Sequence, residues 1–259
     1  MKNSIYFLTF LSFLSLIFSS ASSSVNEKEN RFVDKVNNIE TGYKNMAVLE
    51  LFTSQGCSSC PPADRLMREY QSKENVIVLS FHVDYWNRLG WKDPYSSKEY
   101  SQRQYKYASA LNAQVYTPQL VINGQIEMIG SDADKISAII KKAITQQTDA
   151  SLLIKTVNPE NGQLNVNFVA SGNTLNSFLN IAIVEKKTTT QIKAGENDGI
   201  TLNNYNVVRN FETNKQVNNG ENIATINIPA QSDLKKMSVI LFLQQNNSNK
   251  IIAAATVDL

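Results

Sequence analysis

Leu51-Phe52-Thr53-Ser54-Gln55-Gly56-Cys57-Ser58-Ser59-Cys60-Pro61-Pro62 holds both cysteines of the 259-residue chain and sets them two residues apart. The apolar run just before it, 47–52, predicts a buried strand, and residues 63–72 predict a helix with Leu66, Met67 and Tyr70 facing inward. The pair therefore falls at a strand-to-helix turn. Unpaired backbone N–H groups and the positive dipole end of a helix stabilise a thiolate there, lowering its pKa and making it a better leaving group. Spacing and placement point to reversible dithiol–disulfide chemistry, with Cys57, nearer the helix start and expected to be the more exposed, reacting first and Cys60 resolving the mixed disulfide. A zinc site wants about four N or S ligands. The chain offers two cysteines and one histidine, so no metal is expected. A purely structural disulfide is the competing reading, but closing so short a loop removes little chain entropy.

Working outward, the β-branched run 76–83 predicts a second strand, parallel to the first because a helix connects them. Residues 85–112 read as an aromatic-rich insertion whose second half places Tyr100, Gln104, Tyr107, Ala108 and Leu111 at helical spacing. Thr117-Pro118 returns the chain to the sheet. The runs 119–123 and 125–129, joined at Asn123-Gly124, predict a hairpin, and Ser131 or Asp132 caps a last helix with Ile136, Ile139, Ile140 and Ile144 inward. The order βαβ, helical insert, ββα is that of a thioredoxin-like α/β fold with a helical insertion, over residues 46–149.

From residue 150 to 259 the pattern changes to strand-like runs at 152–157, 164–170, 178–185, 207–211, 223–228, 239–243 and 251–257, with no convincing helix between them. Leu164-Asn165-Val166-Asn167-Phe168 alternates as a half-buried antiparallel strand does. An all-β, sandwich-like domain is the simplest closed arrangement.

At the other end, Lys2, the apolar segment 5–18 and the small-residue run 19–24 have the layout of a secretory signal covering residues 1–22. Cleavage near Ala21 or Ser22 is expected to release a soluble periplasmic or extracellular protein with no stable membrane insertion, an uncleaved anchor being the alternative. Residues 23–45, polar and charged, read as a flexible arm. The formal charge of +2 comes with no basic stripe interleaved with stacking aromatics, so no nucleic-acid partner is expected.

Strands joined by a right-handed crossover carry their C-terminal ends to one rim, which brings His82-Val83-Asp84 toward Cys57. His82 either tunes a thiolate or is a packed, hydrogen-bonded structural residue. Asp84 either accepts the proton that Cys60 loses on resolving a mixed disulfide or caps the following helix. Trp86, Trp91 and Tyr95 either line a groove for a polypeptide substrate or pack the insertion onto the sheet. Pro118 opens a strand; if the Thr117-Pro118 bond is cis, the Thr117 backbone faces the cysteines and can pair with an extended substrate.

The stretches Phe52 to Asp64 by way of Cys57 and Cys60, His82-Val83-Asp84-Tyr85-Trp86, Leu89-Gly90-Trp91-Lys92-Asp93 and Val115-Tyr116-Thr117-Pro118-Gln119 resemble a secreted bacterial thioredoxin-like family, domain of unknown function 1223. Gly195-Glu196-Asn197-Asp198-Gly199 and Asn206-Val207-Val208-Arg209 are similar to its β-domain. The resemblance implies a thioredoxin fold with Cys57 and Cys60 in the redox position and Pro118 in the cis-proline position, and Gln55, Trp86, Thr117, His82 and Asp84 stand as supporting residues. Asn87 departs from the usual aspartate and Asn204 from the common histidine. The resulting expectation is a thiol-disulfide oxidoreductase that needs no cofactor and acts on protein thiols or disulfides or a redox partner protein. Its rival is a non-enzymatic scaffold with a static disulfide, whose β-domain binds a protein or envelope partner. In either case the β-domain can cover the redox rim and restrict access, or dimerise.

Overall fold

β1 (Ala47–Thr53) is buried at every position, as a strand covered on both faces must be. It pairs in parallel with β2 (Val76–His82), from Ala47 opposite Val76 to Thr53 opposite His82. The crossover between them is α1 (Pro61–Tyr70), which has Cys60 at its N-cap and proline in its first turn, where a missing N–H costs nothing. The computed structural model that reveals this describes residues 45–214 and 217–259. The signal segment and all of the arm except Asn45 lie outside the described residues, among which no helix is long and apolar enough to cross a membrane.

The expected elements follow in order. α2 (Lys98–Ala110) starts at Ser97, whose hydroxyl accepts from Glu99 N, and buries Tyr100, Gln104 and Tyr107. β3 (Gln119–Ile122) runs antiparallel to β1, and β4 (Ile126–Ile129) antiparallel to β3. α3 (Ala133–Ala143) is capped by Asp132 and turns Ile136 and Ile140 inward. α1 and α3 bury Ala63, Met67, Ile136 and Ile140 against Ala47, Leu49 and Leu51 on one face of β1.

The strand-like runs after residue 150 are all strands: β5 (Ala150–Glu160), β6 (Gln163–Gly172), β7 (Ser177–Gln191), β8 (Thr201–Asn214), β9 (Gly220–Asn227), β10 (Met237–Gln245) and β11 (Ile251–Asp258). They do not close on themselves as a separate sandwich. β8 lies parallel to β2 at Ser80 opposite Val207, so one mixed sheet runs β11-β10-β7-β8-β2-β1-β3-β4, and β5-β6-β9 forms a second layer. Ser80 Oγ donates to Tyr205 O at 2.7 Å and Asn206 Nδ2 to Val78 O at 3.1 Å across the junction. Joining β8 to β2 removes two open sheet edges at once. The second layer and α2 share a continuous apolar core with Val48, Phe52, Leu79 and Phe81 of the first half.

β7 and β8 are also longer than their apolar runs. Beyond Glu185 they continue as the polar ribbon Lys187–Gln191 paired with Thr201–Tyr205, and this arm reaches the rim at the C-terminal ends of β1 and β2.

The Asn123-Gly124 turn has the left-handed backbone of a tight hairpin, φ 50° and 67°. It packs on the β10–β11 turn, where a Cβ at Gly124 would lie 1.9 Å from Asn249 O. Gly124→Ala is therefore expected to lower the unfolding free energy by about 2 kcal/mol, read as a shift in urea midpoint with unchanged slope.

Candidate functional site

Cys57 and Cys60 are joined as a disulfide. The turn that holds them is tied by Cys57 N–H to Ser54 O and Cys60 N–H to Cys57 O, both 3.2 Å. Pairing of β1 with β3 at Phe52 opposite Gln119 brings the residues before β3 beside the residues after β1. Thr117, whose bond to Pro118 is cis, consequently sits on the disulfide. Its Oγ1 donates to Cys57 Sγ at 3.2 Å and accepts from Trp86 Nε1 at 2.9 Å. Gln104 Nε2 steadies this loop by donating to Tyr116 O at 2.7 Å.

Against expectation, Cys57 is neither nearer the helix start, which Cys60 caps, nor more accessible: each cysteine is 0 % exposed, while Ser58 and Ser59 between them are exposed. Thr117 and Ser59, whose Oγ is 3.3 Å from Cys57 Sγ, lie at the sulfur, while the arm grips the backbone of the turn. Asn197 Nδ2 donates to Gln55 O at 2.9 Å and Cys57 O at 3.0 Å, and Glu196 Oε2 accepts from Ser58 N–H at 3.0 Å. Those bonds hold the Glu196 carboxyl below the usual range. Gln55 is buried and brackets the base of the arm, donating to Thr190 Oγ1 and Asn204 Oδ1, each at 3.0 Å, and accepting from Trp91 Nε1 at 3.2 Å.

His82 lies behind this rim rather than at the sulfurs. Its Nδ1 is 2.7 Å from Asp93 Oδ2, its ring packs edge-on to Tyr95, and its Nε2 has no partner among the described residues. Burial disfavours the imidazolium, but the Asp93 carboxylate outweighs it and raises the His82 pKa. Burial likewise opposes the Asp93 carboxylate, yet His82 and the N–H groups of Gln55 and Tyr95 hold its pKa down. Asp64 accepts from Thr53 Oγ1 at 3.1 Å; burial pushes its carboxyl from 3.8 up to about 7, with His82 pulling the other way. Asp84 turns toward α2, where Ser101 Oγ donates to it at 2.5 Å. Among the described residues no group of three or more His, Cys, Asp or Glu is arranged to hold a metal ion.

Asp64, Asp93, Glu196 and Asn197 were not singled out as site residues from the sequence. Asp64 had a readable signal, because it precedes Met67 by three and so shares the inward stripe of α1. The others become meaningful only through contacts across the chain. Of the departures noted above, Asn87 Oδ1 accepts from Asp93 N at 3.0 Å, positioning the His82 partner, and Asn204 holds Gln55. Arg209 pairs with Glu185 and lies over the Tyr95 ring. A cavity of about 940 Å³ lies around Asn173 and Leu175, away from these residues; a cleft of about 730 Å³ beside Ser58 is lined by both α1 and the arm.

A crystal structure of a protein from Agrobacterium tumefaciens is similar at 31 % identity and a TM-score of 0.61, over 82 % of this chain and 93 % of that one. A DUF3823-family protein from Bacteroides ovatus aligns at 13 % identity and a TM-score of 0.26, over 41 % of this chain and 52 % of that one, too distant to argue from. No curated protein matches. A family model covers residues 48–244, and by that match the chain belongs to the family described as Protein of unknown function (DUF1223).

Proposed function

We propose that the protein is a secreted thiol-disulfide oxidoreductase built on a thioredoxin-like core. The strand neighbours β2-β1-β3-β4, with α1 as the β1–β2 crossover and α2 preceding β3, support the core assignment. The observation that carries the chemistry is the donor chain from Trp86 Nε1 to Thr117 Oγ1 to Cys57 Sγ. Because the indole fills a lone pair of the Thr117 oxygen, the hydroxyl proton is aimed at sulfur. A charge-assisted bond of this kind favours the Cys57 thiolate, the group released when the mixed disulfide is cleaved.

An incoming partner thiolate attacks Cys57 Sγ, the S–S bond breaks, and Cys60 leaves with the electron pair as a thiolate. A second partner thiolate attacks the mixed disulfide, releasing oxidised partner and leaving Cys57 and Cys60 as the reduced pair; the reverse sequence reduces a partner disulfide. Asp64 lies one helical turn beyond Cys60, and a carboxyl at about 7 can take up or release a proton near neutral pH.

The zero exposure of both cysteines favours the second reading, a scaffold with a static disulfide. Incubation with reduced, unfolded ribonuclease separates the two. The oxidoreductase reading expects one protein disulfide formed per Cys57–Cys60 bond lost and, when the lone Cys57 thiol of Cys60→Ser is incubated with disulfide-scrambled ribonuclease instead, a trapped mixed disulfide at Cys57 with one ribonuclease thiolate released. A disulfide that stays oxidised in excess dithiothreitol, with no exchange, leaves the scaffold.

A further inference from the structure

Residues 192–200, at the tip of the β7–β8 arm, form a small self-contained loop. Ile192 N–H bonds Ile200 O, Gly199 N–H bonds Ile192 O, and Ile200 N–H bonds Asn197 O, at 2.9 to 3.2 Å. Most of its residues are exposed, Ile192 and Asn197 being the buried ones.

Its hold on the cysteine turn is narrow. Asn197 clamps the carbonyls of Gln55 and Cys57, and Glu196 occupies the N–H of Ser58. Gly195, with φ +78°, passes the aromatic loop so closely that a Cβ there would lie 3.3 Å from Leu89 O and Trp91 Cβ. Beside these contacts opens the cleft next to Ser58, lined by Pro61, Pro62 and Arg65 of α1 and by Asn197 and Ile200 of the tip. Below them Gln55 fastens the ribbon at Thr190 and Asn204. The bonds thus divide into a fixed base and a tip held by a few polar contacts, with the Gln191–Thr201 pair between.

We propose that residues 192–200 are a redox-sensitive lid, latched by Asn197 and Glu196, that must lift before any thiol reaches the disulfide. The proposal rests on the reading that this disulfide is reactive, and it gives the closed cysteine turn, gripped at Gln55 O, Cys57 O and Ser58 N–H, a way to open. The latch chemistry couples to the redox state. Over the neutral disulfide a carboxylate on the Ser58 N–H is favourable; once Cys57 becomes a thiolate, Glu196 is a like charge on the adjoining residue and competes with it for the N–H groups of the turn. Oxidation therefore favours the closed lid, and reduction weakens the Glu196 half of the latch while leaving the Asn197 half in place. Glu196 and Asn197 are positioning residues, since neither is asked to exchange electrons or protons.

The test measures the rate at which tris(2-carboxyethyl)phosphine reduces the oxidised protein under native conditions, together with the thermal midpoint. Asn197→Ala is expected to be reduced at least tenfold faster than the parent, and Glu196→Gln several-fold faster, with little change in midpoint. A shortened-lid variant, with residues 192–200 replaced by Asn-Gly between the paired Gln191 and Thr201, is expected to be fastest, and Asn197→Ala decides the matter alone if it does not fold. Gly124→Ala, destabilised far from the lid, should keep the parental rate. The proposal is overturned if folded Asn197→Ala matches the parent, or if Gly124→Ala speeds reduction as much, since opening would then be global. Fast reduction of the lid variants without exchange with reduced ribonuclease keeps the lid and removes the oxidoreductase reading; exchange at an unchanged reduction rate does the reverse.

Discussion

Arg103→Leu is expected to lower the unfolding free energy by about 3–5 kcal/mol, because it leaves the fully buried Glu50 carboxylate without its counter-charge. Arg103 Nε donates to Glu50 Oε2 at 2.6 Å, and its Nη2 to Tyr107 Oη at 3.0 Å and Gln244 Oε1 at 3.2 Å. Tyr107 Oη bonds Glu50 in turn, and Gln244 Nε2 donates to Tyr107 Oη at 2.7 Å. Burial disfavours the guanidinium, but Glu50 outweighs it and raises the Arg103 pKa, while burial carries the Tyr107 phenol well above its ordinary value. The guanidinium also lies within 5.6 Å of the ring centres of Phe81, Phe211 and Phe242.

These partners come from β1, β2, α2, β8 and β10, so the network pins the two halves of the chain together. Urea unfolding of Arg103→Leu should show the lower midpoint as a single transition monitored by both far-ultraviolet circular dichroism and tryptophan fluorescence, because both tryptophans, Trp86 and Trp91, belong to the first half. Glu50→Leu/Arg103→Leu should recover much of the loss, since it removes both charges from the interior. A double variant no better than the single would locate the cost in the Tyr107 and Gln244 hydrogen bonds instead.

The other large effect is a fall in stability with rising pH that originates at Asp64. Its folded pKa of about 7 stands above the ordinary 3.8, so between those values the folded chain keeps a proton that the unfolded chain has released. The stabilisation is complete below about pH 4 and is lost as pH rises through 7, a change of about 4 kcal/mol, or a midpoint shift on the order of 10 °C. His82 acts in the same direction at higher pH: its pKa is raised above 6.5, so its contribution is present below that value and fades as pH climbs through the folded one. Asp93 acts oppositely and lower, its depressed pKa giving stability above 3.8 that is lost as acid titrates the folded group. Thermal melts of Asp64→Asn between pH 4.5 and 8 should be nearly flat up to pH 6.5 and should exceed the parent at pH 8. The amide retains an oxygen for the Thr53 hydroxyl, so the comparison isolates the charge. Parallel profiles for the two proteins would place the titrating group elsewhere.

Most secondary structure was legible because it is written in local periods. β1 and β2 are apolar runs of strand length, α1 begins at Pro61-Pro62, and the Asn123-Gly124 turn carries its own backbone preference. The polar ribbon from Lys186 through Tyr205 was not legible, because an arm that leaves the core has no apolar stripe to announce it. Nor was the pairing of β8 with β2: alternation tells which face of a strand is buried but not which strand lies beside it. The turn carrying Cys57 and Cys60 was found from spacing alone, and the approach of Thr117 followed from the order of strands. The misplaced expectations concern charge and cover. Asp84 and Asp64 look alike as acidic residues near the cysteines in sequence, and only packing shows that one bonds Ser101 and the other is enclosed with His82.

By itself the sequence determined the succession of strands and helices and the site of the cysteine turn, since these follow from interactions within a few residues. Tertiary structure alone decided that one sheet crosses both halves, that Arg103 is buried between them, and that Glu196 and Asn197 bond the backbone of the cysteine turn about 140 residues earlier in the chain. Those outcomes depend on which open edges and buried polar groups find partners across the folded chain, a requirement that no local period records.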